Sequence, residues 1–191
     1  KVEQELNPAA VKAASIPVVR RSSGGGTVVQ GPGCLSFSRI IPKAKHPFLG
    51  DIRKSYQYIL QTVIAALRDC GVDSEFRPIS DLVILPGELK FSGNAQRRTR
   101  THVLHHGTIL YNFDLECIPK YLKMPQDCPE YRRGRSHREF VANAAVPPQS
   151  FRDAFAKAAG VNDIKRQMNG KLRKISASLL EARSLSVAVH V

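Results

Sequence analysis

Four short segments carry residue types able to do chemistry. The first is Arg20-Arg21-Ser22-Ser23-Gly24-Gly25-Gly26-Thr27-Val28. A glycine run lets backbone N–H groups approach an anion without obstruction from a Cβ. The paired arginines before it can neutralise a phosphate or a carboxylate. No Gly-Lys-Ser/Thr follows at the P-loop spacing, and the dinucleotide-binding GxGxxG is absent. The second segment is Lys90-Phe91-Ser92-Gly93-Asn94-Ala95, in which a strand lysine can point one cation at a shared site. The third is His105-His106-Gly107-Thr108-Ile109-Leu110. Adjacent histidines on a strand face opposite sides, which makes them poor ligands for one metal and suits one of them to the core. The fourth, Tyr131-Arg132-Arg133-Gly134-Arg135-Ser136-His137, is a basic loop suited to docking an acidic partner or closing over a nucleotide. Taken singly, each segment also has a plain reading as loop, surface lysine, core histidine or solvated basic surface.

The elements that must position these groups follow from periodicity. Residues 1–15 can hold a short helix, and 16–19 begin a strand. Residues 22–33 read as loop. Residues 34–38 alternate and continue through Ile40-Ile41 as a strand, and 42–50 form a connector. The clearest helix spans 51–70, where Ile52, Tyr56, Ile59, Leu60, Val63, Ile64 and Leu67 recur at three- and four-residue steps before Gly71. Residues 82–85 form a short buried strand, Pro86-Gly87 a turn, and 89–91 start the next strand. Residues 103–104 and 108–113 read as further strands, 114–122 as a helix and 126–138 as a loop. A helix over 150–159 with Ser150 as N-cap, a second over 163–182 and a final strand over 185–191 complete the chain. The mixture predicts an α+β fold. The expected division is a main domain over 1–146 and a helical extension over 147–191.

The chain has 191 residues, 42% of them hydrophobic, enough for one domain with a real core. Its 29 Lys+Arg against 16 Asp+Glu give a net charge of +13, which favours anionic partners. Cys34, Cys70, Cys117 and Cys128 form no CxxC and no Cys/His zinc spacing, so a reducing, cytoplasmic setting is expected. No apolar stretch approaches the roughly 20 residues of a membrane span, and no secretory signal pattern is present. A non-catalytic basic binding module is one reading of the charge. Aromatics at 7%, the absence of tryptophan and the lack of a nucleic-acid signature weigh against it.

Together the segments resemble the lipoate–protein ligase A family, whose members carry RRxSGGG, K-x-SG-N/S-A and HHG-T-x-L in that order. Here these are Arg20 to Gly26, Lys90 to Ala95 and His105 to Leu110, within a resemblance covering roughly residues 7–141. It implies the fold of biotin and lipoate ligase catalytic domains, a mixed, mainly antiparallel β-sheet packed against α-helices. It implies two half-reactions as well: lipoate and ATP give lipoyl-AMP, and a carrier lysine then takes the acyl group. The implied cofactors are ATP, Mg2+ and lipoate. Lys90 is the implied catalytic residue. Arg20, Arg21, Ser23, Gly24, Gly25, Gly26, Thr27, Val28 and Val29, with Lys90, Asn94, Ala95, His106 and Gly107, form the implied nucleotide and lipoyl-AMP set. Asp81 is implied to position a metal or the incoming amine. Strands around Val18, Val28 and Leu35 are expected to line a tunnel for the lipoyl tail. The implied partners are an acidic lipoyl carrier domain and a separate accessory-domain chain. Neither a membrane nor nucleic acid is expected.

The pattern departs from that family beyond Gly26. Its usual His-Asp and Gly-Asn are replaced by Gln30-Gly31-Pro32-Gly33-Cys34. This Gly-Pro-Gly-x-Leu run resembles octanoyl-carrier-protein transferases, homologous enzymes that form a cysteine thioester without ATP. Cys128 stands where one such class carries its nucleophile, in the setting Gln126-Asp127-Cys128-Pro129 rather than Asn-Pro-Cys-Gly. Nearby arginines would favour its thiolate. Ligase is therefore the first reading, and transferase through Cys128 the second.

Overall fold

The computed structural model describes residues 2–161 and 188–190. In chain order these form helices α1 (Val2–Glu5) and α2 (Pro8–Ala13) and strands β1 (Val18–Val19), β2 (Val28–Gln30) and β3 (Cys34–Pro42). Helix α3 (Ile52–Asp69) and strands β4 (Ser74–Arg77), β5 (Asp81–Ile84), β6 (Leu89–Arg98) and β7 (His102–Leu110) follow. Helices α4 (Cys117–Tyr121), α5 (His137–Phe140) and α6 (Pro148–Ala158) precede β8 (Ala188–His190). Five strands pair antiparallel in the order β3-β7-β6-β5-β4. A smaller sheet, β1-β8-β2, is mixed: β8 runs parallel to β1 and antiparallel to β2. The chain thus adopts the expected α+β class, with a mainly antiparallel sheet packed against helices.

Helix α3 forms where the periodicity places it. The Asp51 carboxylate accepts from the Lys54 N–H at 2.8 Å and caps it. Its buried stripe of Tyr56, Leu60, Val63, Ile64 and Leu67 packs with Phe37, Leu82, Phe91 and Ile109 on one face of the large sheet. Fully burying a side chain such as Leu60 or Leu67 stabilises the fold by about 1.5–3 kcal/mol relative to exposure. Phe151 of α6 enters the same core beside Ala144 and Val146, so residues on both sides of position 146 share it.

A second cluster joins Leu6, Val11, Val29, Phe113, Cys117, Tyr121 and Val189, with Cys34 and Leu110 against it. Because Cys34 pairs with Leu110, this cluster fastens the small sheet and the N-terminal helices to one end of the β3–β7 ladder. The Gly31-Pro32-Gly33 turn leads from β2 into β3. Gly33 has φ +86°, and a Cβ there would lie 2.0 Å from the Asn112 carbonyl oxygen.

The structure differs from the periodicity in particular places. β7 is one continuous strand, because Gly107 keeps the pleat between the two predicted pieces. β2 lies inside the expected loop and depends on β8 for its partner. β4 is a short edge strand with charged Glu75 and Arg77, a pattern that hides its strand character. The basic loop runs into α5, which begins at His137 and is started by a reciprocal capping box between Ser136 and Glu139. Ser150 is not the cap of α6. The helix begins at Pro148, whose preset φ and missing N–H suit the first turn. The predicted helix over 163–182 lies outside the described residues.

Candidate active site

Strand register sorts the candidates onto two faces. One set of rows reads Asp81–Gly93–Thr108–Ser36 and Ala95–His106–Ser38. The alternate rows read Asn94–Gly107–Phe37 and Gln96–His105–Arg39, and they include the core residue Phe37. The adjacent histidines therefore part as expected. His105 is fully buried, and burial drives its pKa down to about 3. Its Nδ1 lies 3.2 Å from the Gln96 amide nitrogen and its Nε2 3.4 Å from Asn94 Oδ1, contacts that fit a neutral ring protonated on Nε2. His106, on the opposite face, lies 2.6 Å from the Ser23 hydroxyl. Its pKa is lowered by burial and then by Arg21.

Lys90 belongs to the His106 face because of a bulge. Residues three apart on a strand normally face opposite ways. Here the register shifts between Leu82 and Val83, so that Asp81 pairs with Gly93 while Val83 pairs with Lys90. The Lys90 chain consequently lies over Gly93, where a Cβ would sit 3.6 Å from its Cε. Its Nζ reaches Asp81 Oδ1 at 2.8 Å. Asp81 is buried, at 6% exposure, and its Oδ2 accepts from the Tyr131 hydroxyl at 2.7 Å. Burial, and then the Asp81 charge, push the Tyr131 pKa up and keep the phenol neutral.

Tyr131 arrives on the basic loop, whose arginines form its scaffold. Arg132 is buried, donates to the Arg135 carbonyl at 2.8 Å and stacks 4.6 Å from the Phe140 ring centroid. Arg135 donates to the carbonyls of Gly87 at 3.1 Å, Glu88 at 3.3 Å and Tyr131 at 2.9 Å. Arg133 pairs with Glu88 at 3.2 Å and Arg138 with Glu116 at 2.5 Å. The expected acidic-partner surface is thus mostly turned inward or neutralised. The lone aromatic among the arginines was the signal for Tyr131.

The glycine segment is moored to the same sheet face. Besides the Ser23–His106 contact, Arg97 donates to the Ser22 carbonyl at 3.3 Å and the Gln30 amide to the Thr108 hydroxyl at 2.5 Å. Arg21 folds back, donating to the Gly24 carbonyl at 3.0 Å and the Gly26 carbonyl at 2.7 Å. Burial lowers its pKa, against the opposing charge of Glu5. Glu5 is a residue the motifs did not mark. Its carboxylate accepts from the Thr27 N–H at 2.8 Å and from the Thr27 hydroxyl. Arg20, Gly24, Gly25, Gly26 and Val28 are exposed, whereas Val29 is buried in the second cluster and is a core residue.

Other candidates are placed apart. Asn94 faces the core, with its amide donating to the Ser80 carbonyl at 2.8 Å and the Ser92 hydroxyl at 3.2 Å. Gly107 makes room for it: a Cβ there would lie 1.9 Å from Asn94 Oδ1. Leu35 packs against the principal core, whereas Val18 and Val28 are 44% and 36% exposed on the small sheet, so the three share no wall. Cys128 is exposed, its thiol donating to the Pro125 carbonyl at 3.3 Å. Burial pushes the Cys34 thiol up to about 11 and raises Cys70 and Cys117 as well. No group of three or more His, Cys, Asp or Glu able to hold a metal occurs among the described residues. Both Asp81 oxygens are engaged by Lys90 and Tyr131, so Asp81 does not fit as a preformed metal ligand. A recess of about 560 Å³ lies between α3 and β4, but neither Lys90 nor the glycine segment is among its walls. Among the described residues, no helix is long and apolar enough to cross a membrane.

A half-buried lysine held by a buried aspartate, on the sheet face that moors a glycine segment, places one fixed cation beside backbone N–H groups, an arrangement suited to an anionic group. The chain belongs to the family described as lipoyl protein ligase A/B catalytic domain, whose model matches residues 1–164. It is 32% identical over 140 residues to lipoate–protein ligase 1 of Staphylococcus aureus, covering 73% of this chain and 40% of that protein. Identity to lipoate-protein ligase LplJ of Bacillus subtilis is 34%, with the same coverage of 73% and 40%. The chain therefore spans about two fifths of the length of these relatives. The bi-partite lipoate protein ligase of Thermoplasma acidophilum has the same fold, with a TM-score of 0.75 and 26% identity. That match covers 94% of this chain and 72% of the solved one.

Proposed function

We propose that the protein ligates lipoate, or octanoate, to a specific lysine of an acidic lipoyl carrier domain through an acyl-adenylate. In the first half-reaction a carboxylate oxygen of lipoate attacks the α-phosphorus of ATP, and pyrophosphate leaves. In the second, the carrier ε-amine attacks the acyl carbon. AMP departs with the C–O electron pair, and the amine proton passes to solvent. Negative charge develops at the acyl oxygen and phosphate in both steps, and a fixed cation there lowers both barriers. Lys90 is the residue proposed for that task. The observation that carries the reading is its placement: Nζ held 2.8 Å from buried Asp81, on the sheet face to which Ser23 and Arg97 moor the glycine segment.

Arg20, Arg21 and the glycine segment, with Ala95 and His106 behind them, are proposed to hold nucleotide and acyl group. Binding would displace Glu5 from Thr27 and free that N–H for the anion. Mg2+ would arrive with the ATP phosphates, which commonly supply much of its coordination. The bi-partite ligase among the similar structures supports an accessory domain on a separate chain.

The test is to incubate the protein with lipoate and an apo carrier domain, with and without ATP, and to weigh the carrier by mass spectrometry. ATP-dependent addition supports the ligase. Transfer from an octanoyl-carrier protein without ATP, lost in Cys128→Ser, would replace it with the transferase.

A further inference from the structure

The net positive charge is not spread evenly over ion pairs. On the loop of Tyr131, arginines are matched by Glu88 and Glu116 or buried on Phe140. At the opposite end of β6 they are not. There the hairpin tip between β6 and β7, the connector 43–50 and the first turn of α3 converge. Lys43 donates from its backbone to the Thr101 carbonyl at 2.7 Å and from Nζ to the Thr99 carbonyl at 2.6 Å. Arg98 ties this tip to the Gly50 carbonyl at 3.0 Å and the Ser55 hydroxyl at 2.9 Å. Lys45, Arg53, Lys54, Arg97 and Arg100 are all exposed on these segments. None of them enters a salt bridge among the described residues. The one acid on the same segments, Asp51, serves as the cap of α3.

This basic end is continuous with the site. The row Ile40–Leu104–Arg97 lies one step beyond Ser38–His106–Ala95 on the same sheet face. Ile40 on this face is 69% exposed. Unmatched cations beside an exposed isoleucine suit a protein-docking surface for an acidic partner. Base stacking is poorly served here: Phe48 and Tyr58 pack on each other at 4.7 Å and on His46, and are half-buried.

Resting on the ligase reading above, we propose that this hairpin end is where the acidic carrier domain docks. Arg97 lies seven positions beyond Lys90 on β6, about 23 Å of strand. A folded domain roughly 25 Å across can cover the cations while presenting its lysine at the site. The unmatched charges steer the encounter, and exposed Ile40 adds an apolar contact once docked.

The test compares wild type with Lys45→Glu/Arg100→Glu, using an apo E2 lipoyl domain as the probe. Adenylate formation from lipoate and ATP, measured without carrier, is expected to stay within twofold. The Kd for the carrier, and its KM in transfer, are expected to rise at least tenfold at low salt, with the difference shrinking at high salt. An unchanged carrier Kd beside normal adenylation overturns the proposal. So does an equal rise in Arg138→Glu, which removes a charge from the other end and would indicate net charge alone. So does tight binding of duplex DNA or RNA that depends on Lys45 and Arg100 while the carrier Kd does not. Absence of adenylate formation in the wild type instead defeats the ligase reading itself, and is seen before any carrier is added.

Discussion

Lys90 and Asp81 meet at 2.8 Å although they do not pair in register; a bulge between Leu82 and Val83 turns the lysine onto the aspartate's side of the sheet. Nζ is thereby aimed by a carboxylate that is itself fixed by Tyr131. The geometry of this pair rests on a local irregularity of β6, where Phe91 is the extra residue opposite the Leu82–Val83 step.

Replacing Lys90 by alanine is expected to lower acyl-adenylate formation at least 10²-fold, the scale for loss of one charge-stabilising group. The fold should survive, because the lysine side chain is 31% exposed. Pyrophosphate release from lipoate and ATP is the measurement, and release at the wild-type rate would end the assignment.

Tyr131→Phe removes one hydrogen bond from a buried carboxylate and nothing else from the loop. Adenylation kcat should drop several-fold while the KM for ATP stays within twofold, since aim rather than binding is lost. A purely structural Tyr131 would instead lower the Tm and leave kcat intact.

Gly107→Ala places a methyl 1.9 Å from Asn94 Oδ1 and 2.7 Å from the Phe37 ring. Overpacking of this kind costs about 1–3 kcal/mol. Urea denaturation should show that loss in the midpoint, and a change under about 0.5 kcal/mol would mean the neighbours relax freely.

Acid sensitivity should trace in part to His105. Its pKa of about 3 in the folded chain lies below the ordinary value of 6.5, so below pH 6.5 the unfolded chain binds a proton that the folded one does not. Its contribution is fully present above pH 6.5 and is lost as the pH falls toward about 3, at up to about 1.4 kcal/mol per pH unit. Stability against pH for His105→Gln should be flatter over that window, and parallel curves would contradict this.

Much of this was legible beforehand because it depends on near neighbours. The α3 stripe, the opposite faces of His105 and His106, and the glycine turns all follow from spacing. The rest depends on partners far away in the chain. Asp81 meets Lys90 only through a bulge that alternation does not reveal. Arg132 and Arg135 turn inward because the 86–88 turn offers carbonyls and Phe140 a ring, so a stretch that reads as solvated charge becomes scaffold. Glu5 reaches Thr27 across 22 positions, with no motif to announce it. Asn94 sits in a motif beside catalytic candidates, yet its register row turns it to the core.

The small sheet sets a schedule for the site. β1 and β2 bracket the glycine segment, and β8 joins them, with Val29 pairing to Val189, 160 positions later. At about 5–20 residues per second of synthesis, that pairing must wait roughly 8–32 seconds after Val29 is made. Until then the nascent chain can hold a finished α3 and a paired β6–β7 hairpin while its anion loop stays open at both stems. Anything made early is therefore scaffold, and the glycine segment is framed on both sides only late.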